Sequence, residues 1–155
     1  MKENDDEYAA IRLKNQLCFP IYAYSKEIVR RYKPYLDEID LTYTQYIAMM
    51  VMWEHKKITV KEMGELLMLD SGTLTPVLKK LEQKGLVERK RDKEDERVLD
   101  VSITKKGEKL QEEAVHVPEK MACCMRITPE EYKQLYELLY KLLGKLDDEN
   151  IDSED

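Results

Sequence analysis

Apolar positions recur every three or four residues over most of the chain, which predicts helices. One stretch changes to a period of two, which predicts strands. A first helical region is expected from about Tyr8 to Arg31, with a break or kink at Pro20 and an end at Lys33-Pro34. Thr42-Tyr43-Thr44-Gln45 reads as a capping box. It opens a helix from Tyr43 to Trp53 that is apolar on most sides and therefore buried. Thr59-Val60-Lys61-Glu62 is a second capping box, opening a short helix with Val60, Met63, Leu66 and Leu67 on one face. The next helix runs to about Gln83; Pro76 places the start of its regular part near Thr73. Gly85 stops it in the left-handed conformation.

After Gly85 two short strands are expected, Leu86 to Lys90 and Val98 to Ile103, around a wholly charged tip, Arg91 to Arg97. Thr104 to Met125 is helical in pattern, with a kink at Pro118. Thr128-Pro129-Glu130-Glu131 starts a last helix. Its stripe of Tyr132, Leu135, Tyr136, Leu139, Leu142, Leu143 and Leu146 is of the coiled-coil kind. Residues 147–155 form an acidic tail expected to be disordered.

This order of elements is mainly α with a small β wing: a winged helix-turn-helix. The helix from Thr73 to Gln83 suits a major groove. Ser71, Thr73 and Thr75 at its start can approach bases and phosphates, and Lys79 and Lys80 can reach the backbone. The hairpin projects Arg89, Arg91 and Arg97, and arginines on such a tip can enter a flanking minor groove. Asp95 and Arg97 lie two apart on a strand, so Asp95 can orient Arg97.

The net charge of −6 argues against nucleic acid until its distribution is considered. The last nine residues carry six acids and no base, so the remainder is neutral. Between Val77 and Lys93 seven bases face three acids. That is a local basic face of the kind DNA contact needs, although a solvated mixed-charge surface has the same composition. No apolar run approaches the ~20 residues that span a bilayer, and the charged, acidic N-terminus is unlike a signal peptide. The three cysteines include the adjacent Cys123-Cys124, which disfavours a disulfide framework. A reducing cytoplasm is the expected setting.

Cys18 stands in Leu17-Cys18-Phe19-Pro20-Ile21-Tyr22, and seven of the ten tyrosines fall within the first 46 residues. Hydroxyl donors around a thiol favour the thiolate, which is the form that oxidants attack. A small apolar core cysteine fits the same segment.

Leu69 to Pro76, Leu81 to Arg89, Asp95-Glu96-Arg97 and Thr104 to Gly107 resemble the MarR family of transcriptional regulators. The likeness spans Leu13 to Leu146. Leu17-Cys18-Phe19, Tyr22, Tyr32-Lys33-Pro34 and Leu41 to Tyr46 further resemble its organic hydroperoxide resistance repressors, the OhrR-like branch. The resemblance implies a single domain over 1–146. Its winged helix would occupy about 43–104, and helices over about 8–35 and 105–146 would interlock in a homodimer. It implies double-stranded DNA with an inverted repeat, an organic hydroperoxide as effector, and no cofactor or enzymatic turnover. Cys18 would be the sensing thiol, with Tyr32 and Tyr43 of the partner chain hydrogen-bonded to it and Tyr22 lining the same pocket.

Cys123 or Cys124 would be the resolving thiol, condensing with oxidised Cys18 of the other chain. Capping of Cys18 by a small thiol is the alternative. His116, Cys123 and Cys124 share a helical spacing, but no fourth metal ligand accompanies them. Control by a phenolic or lipophilic ligand, and a thiol peroxidase, are the other function classes. Nothing resembles a peroxidase motif.

Overall fold

The computed structural model describes residues 8–91, 98–122 and 127–151. Two short 3-10 turns, Ala9–Ile11 and Leu13–Asn15, precede α1 (Cys18–Asp37). Then follow α2 (Tyr43–His55), β1 (Lys57–Thr59), α3 (Val60–Leu67), α4 (Ser71–Gln83), β2 (Val87–Arg91) and β3 (Leu99–Ile103). The chain continues through α5 (Lys105–Ala114), α6 (Val117–Ala122) and α7 (Pro129–Ile151). It divides into two compact units, Met1–Met121 and Ala122–Asp155.

Several sequence expectations are corrected. The first helix starts at Cys18, which puts Pro20 in its first turn, where a proline removes no hydrogen bond. No kink is needed there. Pro34 does not end the helix: α1 carries it inside and runs to Asp37, because Leu36 is buried in the core. The regular part of α4 begins at Ser71, two residues before the expected start, because Asp70 caps it by accepting from the Thr73 amide at 2.9 Å. The region from Thr104 is two helices, α5 and α6, with Pro118 in the first turn of the second. Leu66 is exposed, although its spacing put it on the inner face of α3. Helix α7 reaches Ile151, so 147–151 are helical rather than disordered, since extending an existing helix avoids the cost of nucleation.

Capping boxes at Thr42/Gln45, Thr59/Glu62 and Thr128/Glu131 form as expected. Helices α1, α3 and α4 all end in the same six-residue turn. The amides of Leu41, Leu69 and Leu86 donate to the carbonyls of Leu36, Gly64 and Leu81 at 3.0, 2.9 and 3.0 Å. The left-handed positions are Asp40 (φ 52°), Met68 (φ 51°) and Gly85 (φ 71°). The sheet was expected as a hairpin. It has a third strand, β1, in the order β1-β3-β2, all antiparallel, with Ile58 opposite Val101 and Val87 opposite Ile103. Three residues between two helices give too little periodicity to reveal such a strand.

The core is made by α2, α3, α4 and the inner face of the sheet: Met49, Met52, Met63, Leu74, Leu78, Leu81, Val87 and Val101 are all but inaccessible. Gly107 closes it. A Cβ there would lie 2.2 Å from the Leu86 carbonyl oxygen, and the Gly107 carbonyl accepts from the Trp53 indole at 2.8 Å. Among the described residues no helix is long and apolar enough to cross a membrane.

Candidate redox centre and nucleic-acid interface

Cys18 opens α1 and is exposed on the single chain, which removes the core-cysteine reading. Its surroundings on α1 are apolar and exposed: Leu17, Phe19, Ile21, Tyr22 and Tyr24. Tyr22 lies one turn on, with the Lys26 ammonium 5.1 Å from its ring centroid and 3.4 Å from its hydroxyl. Further along, Glu27 accepts from Arg30 at 2.8 and 2.9 Å and from Arg31 at 2.8 Å. These hydrogen bonds pull its carboxyl down to about 2.

Tyr32 and Tyr43 are together at the other end of α1. Their ring centroids are 5.0 Å apart, and the cluster continues through Tyr46, 6.0 Å from Tyr32, to Trp53, 6.2 Å from Tyr46. Burial pushes the Tyr43 and Tyr46 phenols up, so both remain hydrogen-bond donors. Beside Tyr43 a cleft of about 230 Å³ opens between α1 and α2, lined by Val29, Arg30, Lys33 and Thr42 among others. Tyr32 follows Cys18 by fourteen positions on one helix, a rise of about 21 Å. Within one chain, therefore, the thiol cannot meet these two hydroxyls.

In the winged module, Ser71, Thr73 and Thr75 are exposed at the start of α4, as are Lys79 and Lys80 further along it. The Thr73 hydroxyl donates to Asp70 at 2.7 Å and the Thr75 hydroxyl to the Ser71 carbonyl at 2.6 Å, so both retain acceptor lone pairs outward. Arg91 is exposed on β2. Arg89 differs: its side chain is only 20% exposed and gives Glu82 hydrogen bonds of 3.1 and 2.7 Å, while its amide gives a third at 3.0 Å. These bonds hold the Glu82 carboxyl below the usual range and fasten the wing to the end of α4. The sequence reading missed this pairing, because seven positions across a turn carry no spacing rule. It also missed Tyr46 and Trp53 as extensions of the tyrosine pair. Asp95, Arg97, Cys123 and Cys124 lie outside the described residues.

A family model described as Transcriptional regulator SarA/Rot matches residues 30–114. The organic hydroperoxide resistance transcriptional regulator of Bacillus subtilis (strain 168) is 47% identical over 94% of this chain and 99% of its own. The chain belongs to the MarR family of winged-helix transcriptional regulators.

AbfR, of Staphylococcus epidermidis, is a MarR-family relative solved in several states. The reduced form bound to DNA is 34% identical, with a TM-score of 0.74 over 92% of this chain and 99% of that one. The overoxidized form bound to DNA is 37% identical, with a TM-score of 0.71 over 94% and 99%. A disulfide-formed state is 35% identical, with a TM-score of 0.61 over 91% and 99%. In this winged-helix fold α3 and α4 are the helix-turn-helix and β2–β3 is the wing. The chain is a transcriptional regulator and not an enzyme.

Proposed function

We propose that the protein is a homodimeric repressor that holds an inverted-repeat operator while Cys18 is reduced and releases it after an organic hydroperoxide oxidises that thiol. The observation that carries the reading is the separation within one chain. An exposed thiol at one end of α1 and a tyrosine pair about 21 Å away can meet only when a second copy runs alongside. The exposed apolar residues flanking Cys18 supply a face for that copy.

In the dimer, Tyr32 and Tyr43 of one chain donate hydrogen bonds to the Cys18 sulfur of the other, and Tyr22 lines the pocket. These donors favour the thiolate. The thiolate sulfur attacks the outer peroxide oxygen. The O–O bond breaks, a sulfenic acid forms, and the alkoxide leaves as an alcohol after taking a proton from water. DNA contact falls to Ser71, Thr73, Thr75, Lys79, Lys80, Arg91 and the tip residues Asp95 and Arg97, with Arg89 bracing the wing. The setting is the cytoplasm, where operator DNA lies.

Reduced and overoxidized AbfR were both captured on DNA, and a disulfide form also exists. That favours a disulfide as the releasing event over oxidation of the thiol alone. Cys123 or Cys124 of the opposite chain then condenses with the Cys18 sulfenic acid, expelling water. Operator duplex selected from a random library by the reduced protein tests the scheme. Cumene hydroperoxide is expected to release wild-type protein but not Cys18→Ser, and a non-reducing gel should show a covalent dimer that the double change Cys123→Ser/Cys124→Ser abolishes. Equal release of Cys18→Ser would refute the sensor. A monomeric band in wild-type protein that is released only when a small thiol is added with the peroxide would replace the intersubunit disulfide with a mixed disulfide, formed as that thiol condenses with the sulfenic acid and expels water.

A further inference from the structure

The six-residue turns ending α1 and α4 are joined by one side chain. Lys84 is the last residue of the α4 turn before Gly85. Its ammonium donates to the Asp40 carbonyl, lies 3.1 Å from the Asp40 carboxylate, and donates to the Gln45 side-chain oxygen at 3.3 Å. Asp40 occupies the left-handed position of the α1 turn. A cation there also faces the negative end of the α1 dipole. Gln45 is the buried polar residue whose side chain accepts from the Thr42 amide at 3.2 Å, so it belongs to the cap that sets Tyr43 as the first residue of α2. From the other side, the Lys106 ammonium donates to the Lys84 carbonyl at 2.7 Å. The Lys84 side chain is 26% exposed, well below what a surface lysine shows.

We infer that Lys84 is the positioning residue through which the tyrosine-bearing start of α2 and the proposed recognition helix, α4, move together. The inference rests on the redox reading above, in which Tyr43 contacts the partner's thiol. Disulfide formation removes the thiolate that Tyr43 donates to and pulls on Cys18, and the α1–α2 corner shifts. Lys84 grips that corner at a backbone carbonyl, a carboxylate and a cap oxygen, and its own backbone ends α4. A displacement of the corner therefore reaches the recognition helix without passing through the core. Contiguous polar contacts of this kind are a physical route for coupling two sites.

The test compares wild type, Lys84→Met, Lys84→Arg and Asp40→Asn as full-length proteins on the selected duplex, reduced and after cumene hydroperoxide. Lys84→Met keeps the apolar stem and removes the ammonium. Wild type is expected to lose at least about tenfold in DNA affinity on oxidation, and Lys84→Met only about twofold, within the usual range of coupling between sites. Mass spectrometry should find Cys18 oxidised at the same rate in both, a readout that separates positioning from sensing. Lys84→Arg should restore most of the wild-type ratio. Asp40→Asn, which tolerates the left-handed backbone, should give an intermediate ratio, and it decides the matter if circular dichroism finds Lys84→Met unfolded. A wild-type ratio in both Lys84→Met and Asp40→Asn overturns the inference. A parallel loss of affinity in both redox states overturns it too, since Lys84 would then only support the fold. If wild type itself does not respond to the peroxide, the redox reading fails first and takes this inference with it.

Discussion

The winged module and the first half of α1 solve opposite problems. From Leu36 to Val101 the chain buries most of its large apolar side chains against one another, and Leu74, Leu78, Leu81 and Val101 have no accessible surface. From Leu17 to Tyr24 it does the reverse: Leu17 is 73% exposed and Tyr22 59%. Apolar surface left outside in one place and completely buried in another, within one short chain, separates a part that folds on itself from a part that, on the proposed reading, is covered by a second copy. The difference also places chemistry. The thiol lies in the open region, and the tyrosines proposed to serve it are anchored to the closed one.

The comparison breaks most sharply with single truncations in each region. Leu78→Ala should cost about 2–5 kcal/mol in urea unfolding, as a fully buried leucine leaves a cavity. Ile21→Ala should leave the unfolding of diluted protein nearly unchanged while raising the dimer dissociation constant in sedimentation equilibrium. If Ile21→Ala destabilises the diluted chain as much as Leu78→Ala, the open region is part of the core and the contrast is lost. Next in size is Gly107→Ala. Its added carbon would meet the Leu86 carbonyl oxygen and the Ile103 side chain, at 2.2 and 2.9 Å, so the junction of β3 and α5 must move. A loss of about 1–3 kcal/mol in thermal or urea unfolding is expected from such overpacking.

The smallest effect is on pH dependence in α1. Glu27 is held from 4.5 down to about 2 by Arg30 and Arg31. A carboxyl depressed in the folded state contributes stability that is complete above its unfolded value and disappears as pH falls through the folded one. Helicity followed from pH 5 to pH 2 should therefore decline in wild type within the window 4.5 to 2, and Glu27→Gln should flatten that part of the curve. An unchanged acid profile in Glu27→Gln would mean that this partly exposed cluster contributes nothing measurable.

Much of the fold was legible because its punctuation is local. Thr42, Thr59 and Thr128 each announce a helix with a partner three residues on, and Gly85 ends one. Proline was the systematic error. Pro20 read as an interruption yet falls in a first turn, Pro34 stays inside a helix because Leu36 must reach the core, and the break expected at Pro118 lies just before it, at 115–116. At the candidate site, Cys18 and the tyrosines proposed to serve it were picked out by composition and resemblance. Their separation along α1 was not, because it needs the helix to run unbroken from Cys18 past Pro20 to Tyr32. The grip of Glu82 on Arg89 and of Lys84 on Asp40 lay beyond any reading of spacing, since both are made by turns that bring distant residues together.

The indole that donates to the Gly107 carbonyl belongs to the chain's single tryptophan. It ends the ring chain Tyr32–Tyr46–Trp53, each step within about 6 Å. Light absorbed by those tyrosines can pass to one emitter fixed in the middle of the winged module. The protein thus carries its own optical gauge: emission from Trp53 reports, without any label, on the rings proposed to meet the partner's Cys18.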